Sequence, residues 1–223
     1  MEYEQVPVLP TEVLQALQPE DGGRYADGTI GGGGHAAMIL EASKTGSWLG
    51  GSDRDGAAVE AASSRLAHYA GRFEIRKGSF ASLADWIEPG SLDGVLLDLG
   101  VSSPQLDWPD RGFSLLQDGP LDMRMDKEQH LTAANIVNGE TEKKLADIIW
   151  RLGDERESRK IAKAIVRARE RNEIRTTKEL TDIVETVKPR RGKKTHPATK
   201  VFQALRIEVN NEFGELIQGL KSV

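Results

Sequence analysis

The chain has 223 residues, 38% of them hydrophobic, with 23 glycines, 30 Lys plus Arg, 35 Asp plus Glu and a formal net charge of −5. That composition excludes a disordered or collagen-like chain and allows one sizeable core or two small ones. With zero cysteines there is no disulfide framework, thiolate metal site or Cys nucleophile; no run approaches the ~20 apolar residues that span a bilayer, so the expected setting is the cytoplasm.

Thr11 to Gln18 reads as a short helix. Arg24–Asp27 leads into a glycine loop, and His35–Ser43 reads as the helix after it. Trp48–Asp53 looks like a strand weakened by Gly50 and Gly51. Ala57–Tyr69 is helical, Arg72–Arg76 alternates as a strand should, and Leu92–Asp98 reads as a buried strand with an acid at its end. Strands alternating with helices predict a parallel, doubly wound α/β sheet. From about Trp108 to His196 no strand is expected, only helices near Glu142–Leu152, Glu155–Arg171 and Lys178–Val187. Pro197–Leu220 reads as one further long helix.

The loop Asp27-Gly-Thr-Ile-Gly-Gly-Gly-Gly-His35 lets a ligand lie against bare backbone. Gly31, Gly33 and Ala36 match a G-x-G-x-x-A dinucleotide fingerprint, which keeps a nicotinamide-dependent oxidoreductase in view. Asp53 follows Gly33 by 20 residues, at a strand end where a carboxylate accepts ribose hydroxyls. Asp27 and Asp98 count against a pyrophosphate and suit a cofactor carrying sulfonium and ammonium, so S-adenosylmethionine is the expected cofactor. Beyond Asp98, Ser103-Pro104 partly matches the short motif of amino-directed methyltransferases, with Gln105 and Leu106 replacing Pro and the aromatic. An exocyclic amine conjugated with its ring is a poor nucleophile, and acceptors on its N–H groups draw it towards a pyramidal form. Catalysis there is mostly positioning plus acceptors placed where positive charge develops. Asp98 and Ser103 are the catalytic candidates. No spacing of His or acids resembles a metal site.

The stretches Asp27–His35, Asp53-Arg-Asp55, Gly78-Ser-Phe80, Asp98–Asp107, Arg111-Gly-Phe-Ser114, Asp118–Asp126 and His196–Ile207 together resemble one family, in order and across nearly the whole chain. It is the bacterial small-subunit (16S) ribosomal RNA cytosine-N4 methyltransferases, the MraW-like enzymes. The resemblance implies cofactor contacts at Gly33, Gly34, His35, Asp53, Phe80, Asp98 and Gln105. It also implies a target cytidine methylated on N4, in naked RNA or an assembled small subunit, and a helical insert that holds RNA. The expected division is a Rossmann-like methyltransferase domain over 1–107, a helical RNA-binding insertion over 108–196, and a helix returning to the first domain over 197–223. Ser52, where the family has an apolar residue, is expected to leave its strand less buried. The chain stops where the family continues into further strands; a catalytically incomplete cofactor- and RNA-binding fragment is therefore the runner-up, and a DNA amino-methyltransferase is allowed by the chemistry alone.

Charge is uneven along the chain. Arg156–Arg206 holds 16 basic and 6 acidic residues, and Lys188–Lys194 packs five cations into seven residues. Arg190, Arg191, Lys193 and Lys194 are expected to meet phosphates, whereas Arg156–Arg175 reads more simply as solvated helix faces. His196, Lys200, Gln203 and Arg206 fall near one helix face and form a candidate substrate-facing stripe, with a solvated face equally open. Oligomeric state, a homodimer included, is left open.

Overall fold

A computed structural model describes residues 6–190 and 195–222. In chain order the elements are α1 (Pro10–Leu17), β1 (Arg24–Asp27), α2 (Gly34–Ala42), β2 (Trp48–Asp53), α3 (Gly56–Leu66), β3 (Phe73–Lys77), β4 (Gly94–Leu96), α4 (Ser103–Asp107), α5 (Ala133–Gly139), α6 (Glu142–Gly153), α7 (Ser158–Arg169), α8 (Thr177–Val187), α9 (Thr199–Asn210) and α10 (Glu212–Ser222). They fall into two compact units, one made of residues up to 104 with 213 onward, the other of residues 105–212. Among the described residues no helix is long and apolar enough to cross a membrane.

The first unit is a four-stranded parallel sheet in the order β3-β2-β1-β4. The strand order reverses at β1, the switch point where open α/β sheets bind ligands outside the carboxyl ends of their strands. Tyr25, Ile39, Leu40, Leu49 and Leu66 are all but fully buried and tie β1, α2, β2 and α3 together. Each such large apolar side chain contributes roughly 1.5–3 kcal/mol on burial. Asp55 starts α3 by accepting from Ala57 N at 3.2 Å, and Pro10 opens α1 where no backbone donor is needed.

Several sequence expectations shift here. Gly50 and Gly51 do not weaken β2; they make room, since a Cβ on Gly50 would lie 2.7 Å from Ile87 Cδ1 and one on Gly51 would strike Ile30 Cδ1. Ser52 is buried, not exposed, and its hydroxyl donates to Gly28 O at 3.3 Å; a polar residue is accommodated because the glycine loop supplies its acceptor. β4 is only three residues long and half-buried, as an edge strand can be.

The second unit is helical, with a single isolated bridge (Pro120–Thr176) among its described residues. α6 packs on α7 and α9, and α7 on α8, around Leu145, Ile149, Ile161, Ile165, Leu180, Val184, Val201 and Leu205. α5 and α8 begin with reciprocal caps, Thr132 with Asn135 and Thr176 with Glu179. The helix expected over Pro197–Leu220 is two helices: Asn211 takes φ 49°, a left-handed stop, and only residues from 213 on join the sheet unit.

Between α4 and α5 the chain holds itself with backbone contacts. A Cβ on Gly112 would run into the Pro120 carbonyl oxygen and one on Gly119 into that of Pro109. Arg111 is buried and donates to the Arg124 and Met125 carbonyls, both at 3.0 Å. Asn210, fully buried, accepts from Met125 N and donates to Met123 O, each at 2.8 Å. Phe113 and Met123 are buried core residues here.

Candidate functional site

Register brings the first acids together. Asp27, at the end of β1, pairs with Gly51 of β2 and Leu96 of β4; Asp53 ends β2, and Asp98 follows β4 by two residues. Asp27 is 1% exposed, and its Oδ2 has no hydrogen-bond partner among the described residues. Its Oδ1 accepts from Thr29 N at 3.1 Å. Burial, more than any other cause, pushes the Asp27 carboxyl up to about 7, with the charges of Asp53 and Asp98 adding to the rise and the Thr29 N–H opposing it.

Asp53 Oδ2 accepts from Gly31 N at 3.0 Å and its Oδ1 from Asp55 N at 2.9 Å. Burial raises this carboxyl above its usual range, against the lowering effect of those N–H groups. The bond to Gly31 clamps the glycine loop to the end of β2. Asp98 N donates to Thr29 Oγ1 at 2.7 Å, so Thr29 links the first strand's acid to the last strand's. Sequence reasoning passed over Thr29; its signal was the Asp-x-Thr spacing, which favours a local side-chain turn.

Gly33 caps α2 with φ 74°, and a Cβ there would lie 3.1 Å from Ala62 Cα on α3. The glycine thus serves both the left-handed turn and close helix packing. A Cβ on Gly34 would lie 3.1 Å from Pro7 Cδ, and His35 Nε2 donates to Val8 O at 2.7 Å. The His35 ring is therefore engaged by the N-terminal segment. No sequence signal announced that segment.

Phe80 is buried with Ala26, Leu83 and Ile87, and the ring lies against Gly219 of α10. Ser79, just before it, donates to Glu215 of the same helix. Ser103 opens α4 and is exposed; Gln105, two residues on, is buried. The Ser-Pro-Gln stretch forms the start of this short helix.

The proposed RNA residues are spread differently. Arg190 is exposed; Arg191, Lys193 and Lys194 lie outside the described residues. Lys188 pairs with the buried Glu155 at 2.6 Å. His196 Nε2 lies 3.1 Å from Glu185, Lys200 Nζ 3.1 Å from Asp154 Oδ2, and Arg206 makes two bonds to Glu212, at 2.7 and 2.9 Å. The face expected to present free charge is thus largely matched by acids from other elements of the chain. Among the described residues no cluster of His, Asp or Glu gathers as a metal ligand set.

The profile of the MraW methylase family matches residues 2–223. The chain belongs to that family. It is 47% identical over 215 residues to a ribosomal RNA small subunit methyltransferase H of Xanthomonas campestris, covering 96% of this chain and 63% of that protein. With its namesake from Geobacter sulfurreducens it shares 48% over 227 residues, all of this chain and 73% of the other. The chain therefore spans less than two thirds of the Xanthomonas relative. Among solved structures, a SAM-dependent O-methyltransferase of Thermotoga maritima aligns loosely, with TM-score 0.38 and 15% identity over 52% of this chain and 44% of that one.

Proposed function

We propose that this chain belongs to an S-adenosylmethionine-dependent methyltransferase that acts on small-subunit ribosomal RNA, at the exocyclic N4 amine of a cytidine. The observation that carries this reading is the acidic end of the sheet. Asp53 and Asp98 lie close enough to Asp27 for their charges to raise its carboxyl, and Asp27, deeply buried beside the glycine loop, keeps one buried oxygen without a partner among the described residues. Such a site disfavours two phosphates and favours a ligand bearing ammonium and sulfonium charge. The family's name, and the relatives named as small-subunit ribosomal RNA methyltransferases, support the class of reaction and substrate.

In this reading the backbone of Gly33, Gly34 and His35 lies along the cofactor, Asp53 accepts its ribose hydroxyls, and Phe80 flanks the adenine. Asp27 answers the ammonium, while Asp98 and Gln105 border the methionine end. When bound, the cofactor supplies an electrophilic methyl. Asp98 and Ser103 accept the N–H bonds of the target amine, which localises the nitrogen lone pair; proton loss can follow methyl transfer, so no strong base is needed. The base reaches the site unstacked from its neighbours.

Calorimetric titration with S-adenosylmethionine, with NAD as control, tests the cofactor. Methyl transfer to small ribosomal subunits, with the product nucleoside identified by mass spectrometry, tests the substrate. Selective cofactor binding and N4-methylcytidine are expected. NAD binding in place of S-adenosylmethionine, or methylation at another base atom, overturns the assignment.

A further inference from the structure

The helical unit carries a groove of about 520 Å³ between α7 and α8. One wall is a line of cations, Lys160, Lys163, Arg167 and Arg171; the floor is Ala164 and Ala168, with Ile183 and Val187 of α8 opposite. Lys160, Lys163 and Arg167 recur every three or four residues and so share one face of α7, with Arg171 two residues past its end. Small residues four apart keep the floor open. From Lys160 to Arg167 the line runs roughly 10 Å at the helical rise, and Arg171 extends it.

What distinguishes this face from a solvated one is how the charges are matched. α7 holds no acid at all over Ser158–Arg169. Lys160 pairs with Glu157 at 2.7 Å, but Lys163, Arg167 and Arg171 are exposed and have no ion-pair partner among the described residues. The acids of α8 do not serve them: Asp182 holds Lys178 at 2.6 Å, Glu185 faces His196, and Glu179 closes the helix cap. The contrast with His196, Lys200 and Arg206, each matched to an acid, is direct.

We infer that the α7–α8 groove seats a single-stranded RNA backbone, its phosphates on Lys163, Arg167 and Arg171 and its sugars over the alanine floor. The inference rests on the proposed action on ribosomal RNA, and names where that substrate is held. An extended polyanion is the occupant that fits a straight row of unmatched cations beside a narrow apolar floor.

The test measures binding of a fluorescein-labelled 12-nucleotide oligouridylate to the full chain across a potassium chloride series. Lys163, Arg167 and Arg171 are changed together to Gln, and a control of equal charge changes Lys44, Arg65 and Lys221 to Gln. Removing three phosphate contacts should lower the magnitude of the log–log salt slope by about 2, the single-strand value for three charges, while the control keeps the original slope. S-adenosylmethionine affinity and the thermal midpoint of the groove variant should be unchanged. A slope no lower than the control's, or no oligouridylate binding by the unaltered chain, overturns the inference. Weakened binding to small subunits with unchanged oligouridylate binding also overturns it, by assigning the groove to a protein partner. Absence of methyl transfer by the unaltered chain, with the salt slope behaving as stated, counts against the methyltransferase reading and leaves the groove assignment standing.

Discussion

Replacing Asp27 by Asn removes the group whose burial is least compensated in the sheet unit. Its carboxyl titrates near 3.8 in an open chain and at about 7 when folded. The folded state therefore holds a proton that the unfolded state has released between those two values, and stability falls as pH rises through that window. Relative to the fully protonated limit the cost is roughly 1.5 kcal/mol at pH 5 and about 4 kcal/mol at pH 8, so it grows by about 2.5 kcal/mol across that span. The Asp27→Asn side chain would carry no such dependence. Urea unfolding of both proteins without ligand, at pH 5 and pH 8, isolates the effect, since every other titration is common to the two. The stability of the variant relative to the parent should improve by about 2.5 kcal/mol from pH 5 to pH 8. A relative stability that does not move between the two pH values would refute the claim that Asp27 is buried without compensation.

The same carboxyl should shape cofactor affinity. A cationic ligand needs the ionised form, only about a tenth of which is present one unit below the folded value, so S-adenosylmethionine should bind about tenfold more weakly at pH 6 than at its alkaline limit; calorimetry on Asp27→Asn should show weak, pH-independent binding. Gly33→Ala should destabilise the chain by roughly 1–2 kcal/mol from its left-handed backbone alone, with loss of cofactor binding seen in the same titration, and normal affinity would show that the loop tolerates a side chain. Asn210→Leu should cost about 2–4 kcal/mol by stranding the Met123 carbonyl and the Met125 N–H, read by urea unfolding; an unchanged midpoint would mean water replaces the amide.

The sheet was legible because its signals are local: alternation, a glycine loop, and acids spaced to fall at strand ends. The first acids met where their spacing placed them, since parallel register carries one strand end beside the next. What escaped the sequence depended on distant partners. Gly50 and Gly51 look like flaws until Ile87 and Ile30 are seen filling the space beside them. Ser52 looks too polar until the Gly28 carbonyl is found above it. The break at Asn211 is announced only by the asparagine itself, which tolerates the left-handed turn less obviously than a glycine would. Charge does not announce its partners: Lys200 and Arg206 are matched by Asp154 and Glu212, while Lys163 and Arg167 of α7 have no ion-pair partner among the described residues. Sequence counts charges but cannot say which are already spoken for.

The clasp between Arg111 and Met125 has a consequence for how the helical unit opens. Leu121 N donates to Arg175 O, Met123 N to Arg111 O and Ala133 N to Asp122 O, at 2.8, 3.1 and 2.8 Å. These bonds belong to no helical ladder, yet their acceptors lie up to 54 residues away, and the donor residues Leu121 and Met123 are buried. Breaking them requires separating α5 and α8 from the loop at once. In hydrogen exchange, a stretch with almost no regular secondary structure should therefore be among the last to yield its protons, and the frayed ends of the helices among the first.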